Sequence, residues 1–198
     1  MKKTLPILAI LFLLLTQKTN AQLEKGNVLF GADLANLKIG LKEGAATAIQ
    51  LSPKAGWFIK SNVAIGPYVS FGYVTQKTGG VTSSSTTYSV GAFGRYYVVN
   101  DPKANLLKQG RWFFEANAGI GGQNTKGGNS TNGLELGFGP GYAYFVTPSV
   151  GLETLLKWNP IIGFGNETFT SNLSLNFGFL IYLPGKATLN SVKEQETK

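Results

Sequence analysis

The chain has 198 residues, of which 43% are hydrophobic, 12% are aromatic and only 14% are charged, and 26 are glycine. It contains no cysteine and no histidine, which excludes disulfides, thiolate metal sites, cysteine nucleophiles and Ser-His-Asp triads. Low charge with abundant aromatic residues excludes a disordered chain, and the length fits one domain. We therefore expect no cofactor and no bound metal.

The first 21 residues have the pattern of a secretory signal peptide. Lys2 and Lys3 precede an apolar run over 5–15, and small residues at 19–21 predict cleavage before Gln22. The run of about 11 residues is too short for a membrane-spanning helix, which needs about 20. Removing Lys2, Lys3 and Lys18 takes Lys+Arg from 18 to 15 against 10 Asp+Glu, a balance of +5. No cluster of basic residues remains, so we expect no nucleic-acid partner.

The mature sequence alternates between large apolar and small or polar residues. The clearest stretch is 134–146, where Leu136 and Phe138 occupy one face and Glu135 and Gly137 the other. A period of two residues indicates β-strands. Applied along the chain, this period predicts eight strands, with boundaries accurate to about 2–4 residues. They are 26–37, 46–59, 63–76, 85–99, 111–123, 132–146, 149–160 and 167–182.

The predicted connections alternate in length. Tight turns at 60–62 and 147–148 lie at one end, with a longer connection near 100–110, whereas polar loops at 77–84, 124–131 and 161–166 lie at the other. An even number of strands with this alternation is typical of a transmembrane β-barrel. The fold prediction is therefore all-β: an eight-stranded antiparallel up-and-down transmembrane barrel over 22–184, followed by a polar periplasmic tail over 185–198. Pro53, Pro67 and Pro140 fall within strands and predict bulges or strand ends.

Mid-strand charges indicate which face turns outward. They lie on the small-residue face and comprise Asp33, Lys54, Arg95, Glu115, Glu135, Glu153 and Lys157. A charge facing hydrocarbon costs about 2–4 kcal/mol at the membrane midplane, so we expect these side chains to form an interior charge network. The alternative is a soluble lipocalin-like barrel, in which the bulky apolar face would point inward.

Aromatic residues collect near the ends of the predicted strands, as in the girdles of membrane barrels. The predicted membrane-interface residues are Trp57, Tyr73, Tyr88, Tyr96, Trp112, Tyr144, Trp158 and Tyr182.

Four stretches resemble the small outer-membrane β-barrel proteins common in Bacteroidota, relatives of the eight-stranded OmpA/OmpX-type barrels. The stretches are Ser52-Pro53-Lys54-Ala55-Gly56-Trp57-Phe58, Asn62-Val63-Ala64-Ile65-Gly66, Gly94-Arg95-Tyr96-Tyr97 and Gly137-Phe138-Gly139-Pro140-Gly141-Tyr142-Ala143-Tyr144-Phe145. The resemblance covers most of residues 26–183. It implies a barrel inserted into outer-membrane lipids by the barrel assembly machinery, and it implies no catalytic residues.

Several functions remain open at this point. The preferred hypothesis is a non-enzymatic outer-membrane protein with a closed lumen and a structural or surface-interaction role. A small-solute pore and a soluble periplasmic ligand carrier are the alternatives. Glu115, Glu135 and Glu153 fall on consecutive strands and could approach as paired carboxylates for acid–base catalysis. Buried charges are normally paired, which favours a structural interpretation.

Overall fold

The structure is a computed structural model that describes residues 23–38, 46–98, 110–128, 130–163 and 168–185. The predicted signal peptide, the cleavage site before Gln22 and the tail beyond 185 lie outside the described residues. Of the part that is described, no helix is long and apolar enough to span a membrane.

Eight antiparallel strands form one closed barrel in chain order. They are β1 Val28–Lys38, β2 Ala46–Lys60, β3 Val63–Thr78, β4 Val81–Tyr97, β5 Gly110–Thr125, β6 Ser130–Thr147, β7 Val150–Gly163 and β8 Phe169–Leu183. The first strand pairs with the last, from Val28↔Leu183 to Ala35↔Asn176, so the sheet has no free edge there. The predicted eight-stranded up-and-down barrel is confirmed, with each boundary within four residues of the expected position.

We call the end with the turns at 61–62 and 148–149 the short-turn end, and the opposite end the hairpin end. The segment before β1 folds across the short-turn end: Leu23 O accepts a hydrogen bond from Asn62 N (2.7 Å). Asn27 Oδ1 accepts one from Gly185 N (3.0 Å), which ties the two ends of the described chain together. Leu23 also packs against the barrel core, so this segment helps to close that end.

The prediction of long loops at 77–84 and 124–131 is wrong, because most of both segments belongs to paired strands. β3 and β4 stay paired as far as Thr78↔Val81, and only Gly79 and Gly80 form the turn. Their φ angles of 58° and 79° are the positive values that a two-residue hairpin turn requires. β5 and β6 likewise pair out to Asn124↔Ser130. Ser- and Thr-rich composition indicated loops, but β-branched threonine also fits a strand. The third expected loop, 161–166, is strand as far as Gly163, and 164–166 lies outside the described residues.

The prolines produce no bulge, contrary to expectation. Pro53 pairs with Ala32 of β1, and the β2–β3 register is unchanged on either side of it. Pro67 and Pro140 similarly pair with Ala92 and Phe114. A residue in an antiparallel strand directs its N–H toward one neighbour only, so a missing N–H interrupts one ladder and leaves the other intact.

The two faces of the barrel differ sharply in chemistry. Large apolar side chains are exposed on the outside of every strand, such as Phe30, Phe71, Phe138, Leu156 and Leu175, the last with 49% of its surface accessible. Inward positions carry glycine, polar or charged residues, together with alanines, aromatic residues and the buried leucines Leu29, Leu155 and Leu180. Glycine is required where strands approach closely: a Cβ on Gly139 would clash with the backbone oxygen of Leu156.

Candidate functional site

Six of the seven predicted interior charges form one connected set in the middle of the barrel, here called the ion-pair layer: Asp33, Lys54, Arg95, Glu115, Glu153 and Lys157. They come from β1, β2, β4, β5 and β7, and each lies at an inward position of its strand. Lys54 Nζ contacts Asp33 Oδ2 at 2.6 Å and Glu115 Oε2 at 2.9 Å. The lysine therefore links β2 to its neighbour β1 and, across the lumen, to β5.

Arg95 occupies the centre of this layer and bridges two carboxylates. Its Nη2 donates to Glu115 Oε2 at 2.7 Å, and its Nη1 donates to Glu153 at 2.7 Å. The guanidinium carbon also lies 4.0 Å from the centroid of the Phe113 ring, in a cation–π contact. Because its side chain has no accessible surface, Arg95 is fully desolvated and depends on these partners.

Glu135, the seventh predicted charge, is separate from the ion-pair layer. No Lys or Arg nitrogen among the described residues approaches it within 4.0 Å. Its Oε1 instead accepts hydrogen bonds from Tyr68 OH (2.9 Å) and Asn117 Nδ2 (3.1 Å). The prediction of one network of seven charges is therefore wrong for Glu135, because a hydroxyl and an amide take the place of a cation.

Beneath the ion-pair layer, the short-turn half of the lumen is filled by an aromatic plug, defined as Phe58, Tyr97, Phe113, Phe145 and Tyr182. Tyr97 OH and Tyr182 OH lie 2.7 Å apart, and Tyr182 OH donates to Glu153 Oε1 at 2.6 Å. The plug is thus joined to the ion-pair layer by hydrogen bonds as well as by packing. Together they block the lumen at this level.

The aromatic plug was not among the features predicted from the sequence, and Tyr182 lies elsewhere than predicted. The prediction that Tyr182 lies at the membrane interface is wrong, because the residue is only 2% exposed and faces the lumen. The period of two residues contains this information: Phe177, Phe179 and Ile181 share the outer face, so Tyr182 must point inward. The same rule places Tyr97 on the face of Arg95, and Phe113 on that of Glu115.

The other seven predicted interface aromatics are exposed on the outer surface. Trp57, Tyr96, Trp112 and Tyr144 lie toward the short-turn end, with 46–57% of their surface accessible. Tyr73, Tyr88 and Trp158 lie further toward the hairpin end, with 38–42% accessible.

A cavity of about 290 Å³ occupies the hairpin half of the lumen. Its floor is formed by Lys54, Glu115 and Lys157 of the ion-pair layer, and its walls reach up to Ser85 and Gln123. The lumen is therefore filled in one half and hollow in the other.

The carboxylates do not form the pair that acid–base catalysis would use. Arg95 lies between Glu115 and Glu153, and Glu135 belongs to a different cluster. The described residues also contain no group of three or more acidic side chains placed to hold a metal ion. What the charges do in this arrangement is connect strands across the lumen.

No protein-family model matches the sequence, and no curated protein matches it. Among solved structures, the chain is similar to Neisserial surface protein A, with a TM-score of 0.54 and 19% identity over 79% of this chain and 97% of that chain. The two proteins share a fold. Lower similarity links the chain to Ail of Yersinia pestis (TM-score 0.46, 12% identity, 80% of this chain and 99% of that one) and to the outer membrane protein OprG from Pseudomonas aeruginosa (0.43, 9%, 82% and 98%).

Proposed function

We propose that the protein is an integral outer-membrane β-barrel with a structural or surface-interaction role and no enzymatic activity. The observation that carries the proposal is the combination of a bulky apolar outer surface with ion pairs buried around the barrel axis. Signal-peptide removal before Gln22 and membership of the small Bacteroidota barrels are part of this proposal. It also includes insertion by the barrel assembly machinery.

The outer surface is the main argument for a membrane location. Phe71, Leu175, Phe177 and Ile120, which lie on three different strands, each expose 49–69% of their surface. Transfer of apolar surface out of water contributes about 25 cal/mol per Å², so a barrel with this exterior is stabilised by lipid and not by water. A soluble carrier would have the opposite arrangement, with apolar residues around the axis.

Extraction from membranes tests the location. We expect the expressed full-length chain to remain in the outer-membrane fraction after carbonate washing, to dissolve only in detergent and to migrate faster in gels before boiling than after. A periplasmic protein co-expressed in the same cells serves as the control, because washing should release it. Release of the barrel protein by carbonate alone would overturn the membrane assignment.

A pore is the second candidate function, since membrane barrels often conduct solutes. The ion-pair layer and the aromatic plug argue against it, because Arg95 and Tyr97 are both buried without accessible surface. Eight-stranded barrels have room for side chains and not for an aqueous channel. We expect no steady openings when the purified monomer is placed in planar bilayers, with a known porin as the positive control. Stable single-channel conductance would replace the closed-barrel proposal with the pore.

The hairpin end is the surface we propose for contact with partners. β3 and β4 have 16 and 17 residues, whereas about 9–11 tilted residues cross a membrane. The excess length carries Thr82, Ser83 and Ser84, which are polar and exposed or half-buried. This paired ribbon would stand above the membrane and present hydroxyl groups on a rigid support.

A further inference from the structure

The cavity in the hairpin half of the lumen is lined by many hydroxyl and amide side chains, together with charged and some apolar residues. Hydroxyl and amide side chains predominate between the ion-pair layer and the rim, among them Gln50, Ser70, Ser89, Asn159, Ser174 and Asn176. Such groups both donate and accept hydrogen bonds. They therefore match ligands whose own groups do both, as the hydroxyls of a polyol do.

Two asparagines lie against Gly137, and only one of them faces the cavity. A Cβ added to Gly137 would clash with both Asn117 Oδ1 and Asn159 Oδ1, so the glycine makes room for these amides. Asn117 Oδ1 is enclosed and has no hydrogen-bond partner among the described residues. Asn159 lines the cavity beside Ser174, to whose hydroxyl its Nδ2 donates at 3.3 Å, so this polar pair is what a ligand would meet.

Charged groups at the floor are nearly balanced. The lining contains Lys54 and Lys157 against Asp33, Glu115 and Glu135. Lys157 Nζ lies 3.7 Å from Glu115 Oε1, beyond hydrogen-bond distance, so its donors are available to a ligand oxygen. Lys157 and Glu135 both line the cavity outside the tight contacts of Lys54 with Asp33 and Glu115, and they carry opposite charges. A ligand with a net charge of either sign would therefore meet one group of like charge, which disfavours it relative to a neutral ligand.

We propose that this cavity binds a small uncharged polyol, the size of a single sugar ring. The volume of about 290 Å³ lies at the lower limit of ligand pockets, roughly 300 Å³, which excludes a longer oligosaccharide from full burial. The ligand's hydroxyls would donate to Asn159 and to the serine hydroxyls of the cavity wall and accept from Lys157. The ion-pair layer beneath makes the cavity a binding pocket with a closed floor.

Titration of the refolded full mature chain with D-glucose, in detergent micelles and followed by amide NMR, tests this inference. We expect saturable shifts at the cavity level of β3, β4, β7 and β8 and none near the aromatic plug. D-glucuronate and D-glucosamine, which carry opposite charges, should bind at least tenfold more weakly. Absence of saturable shifts, or tighter binding of either charged sugar, would overturn the proposal. Because the measurement is made in micelles, failure here leaves the membrane location to be judged by extraction alone.

Cavity-filling variants locate the binding. Ser70→Leu and Ser174→Leu each place a larger side chain in the cavity and should reduce glucose binding at least tenfold. Ser84→Leu serves as the matched control, with binding unchanged, because Ser84 is on the outer face of β4, opposite the face of Ser85 that lines the cavity. Two variants are used because either could disturb folding, which the gel shift on boiling reports. Unchanged binding in a correctly folded filled variant would show that glucose binds elsewhere and would overturn the assignment.

Discussion

Replacing Arg95 with methionine is expected to lower the free energy of unfolding by about 3–5 kcal/mol, the usual cost of removing one partner from a buried ion pair. Glu153 would lose its cation, because Arg95 is the only Lys or Arg within 4.0 Å of it among the described residues. Glu115 would keep Lys54 at 2.9 Å. Most of the loss therefore comes from the unpaired Glu153 at the boundary with the aromatic plug.

Urea unfolding of the protein in lipid vesicles measures this effect. Lys126→Met is the matched control, since Lys126 is exposed in the β5–β6 turn and should change the free energy of unfolding by less than about 0.5 kcal/mol. Arg95→Lys should fall between the two. One ammonium cannot reproduce the separate contacts that the guanidinium makes with Glu115 and Glu153. A loss below about 1 kcal/mol in Arg95→Met would contradict a structural role for the layer.

Leu175→Arg is expected to destabilise the lipid-embedded barrel by about 2–4 kcal/mol, the cost of an arginine at the bilayer midplane. Leu175 is exposed on β8 opposite Leu156 of β7, both near the middle of their strands. In water, the same substitution at an exposed site would be nearly neutral. The size of the effect therefore reports whether the outer surface faces lipid.

Val81→Arg is the matched control for this second experiment. Val81 is 72% exposed but stands at the tip of the β3–β4 hairpin, so we expect a change below about 1 kcal/mol. Both variants are compared by urea unfolding in the same vesicles. Equal, small effects at the two positions would mean that Leu175 faces water and would contradict the membrane proposal.

The closed barrel could be predicted from sequence because its cause is local. Alternation of Leu136 and Phe138 with Glu135 and Gly137 defines two faces, and eight such segments separated by turns leave few other folds. The ends of the strands were harder to predict, because threonine and serine, the residue types at 82 and 83, occur both in loops and in exposed strands. Only the pairing with β3 decides between them.

The interior contacts depended on geometry that the sequence does not contain. Alternation places Glu135 and Glu115 inside, but it does not say which side chains they contact. Tyr68 and Asn117 meet Glu135 because β3, β5 and β6 bring them to one height, through a register set over many residues. Tyr182 is different, because the alternation alone predicts its inward position. Its place near the end of β8 wrongly indicated the membrane interface.

The ladder between Val28 and Leu183 joins residues separated by almost the whole described chain. The pairing of β1 with β8 therefore cannot form until the final strand has been synthesised. Until then, β1 presents unpaired backbone groups. Such edges promote aggregation, and closing so distant a pair carries a large loop-closure entropy. Newly made chains would consequently depend on protection until the barrel closes, and loss of the final strand would leave them vulnerable to aggregation and proteolysis.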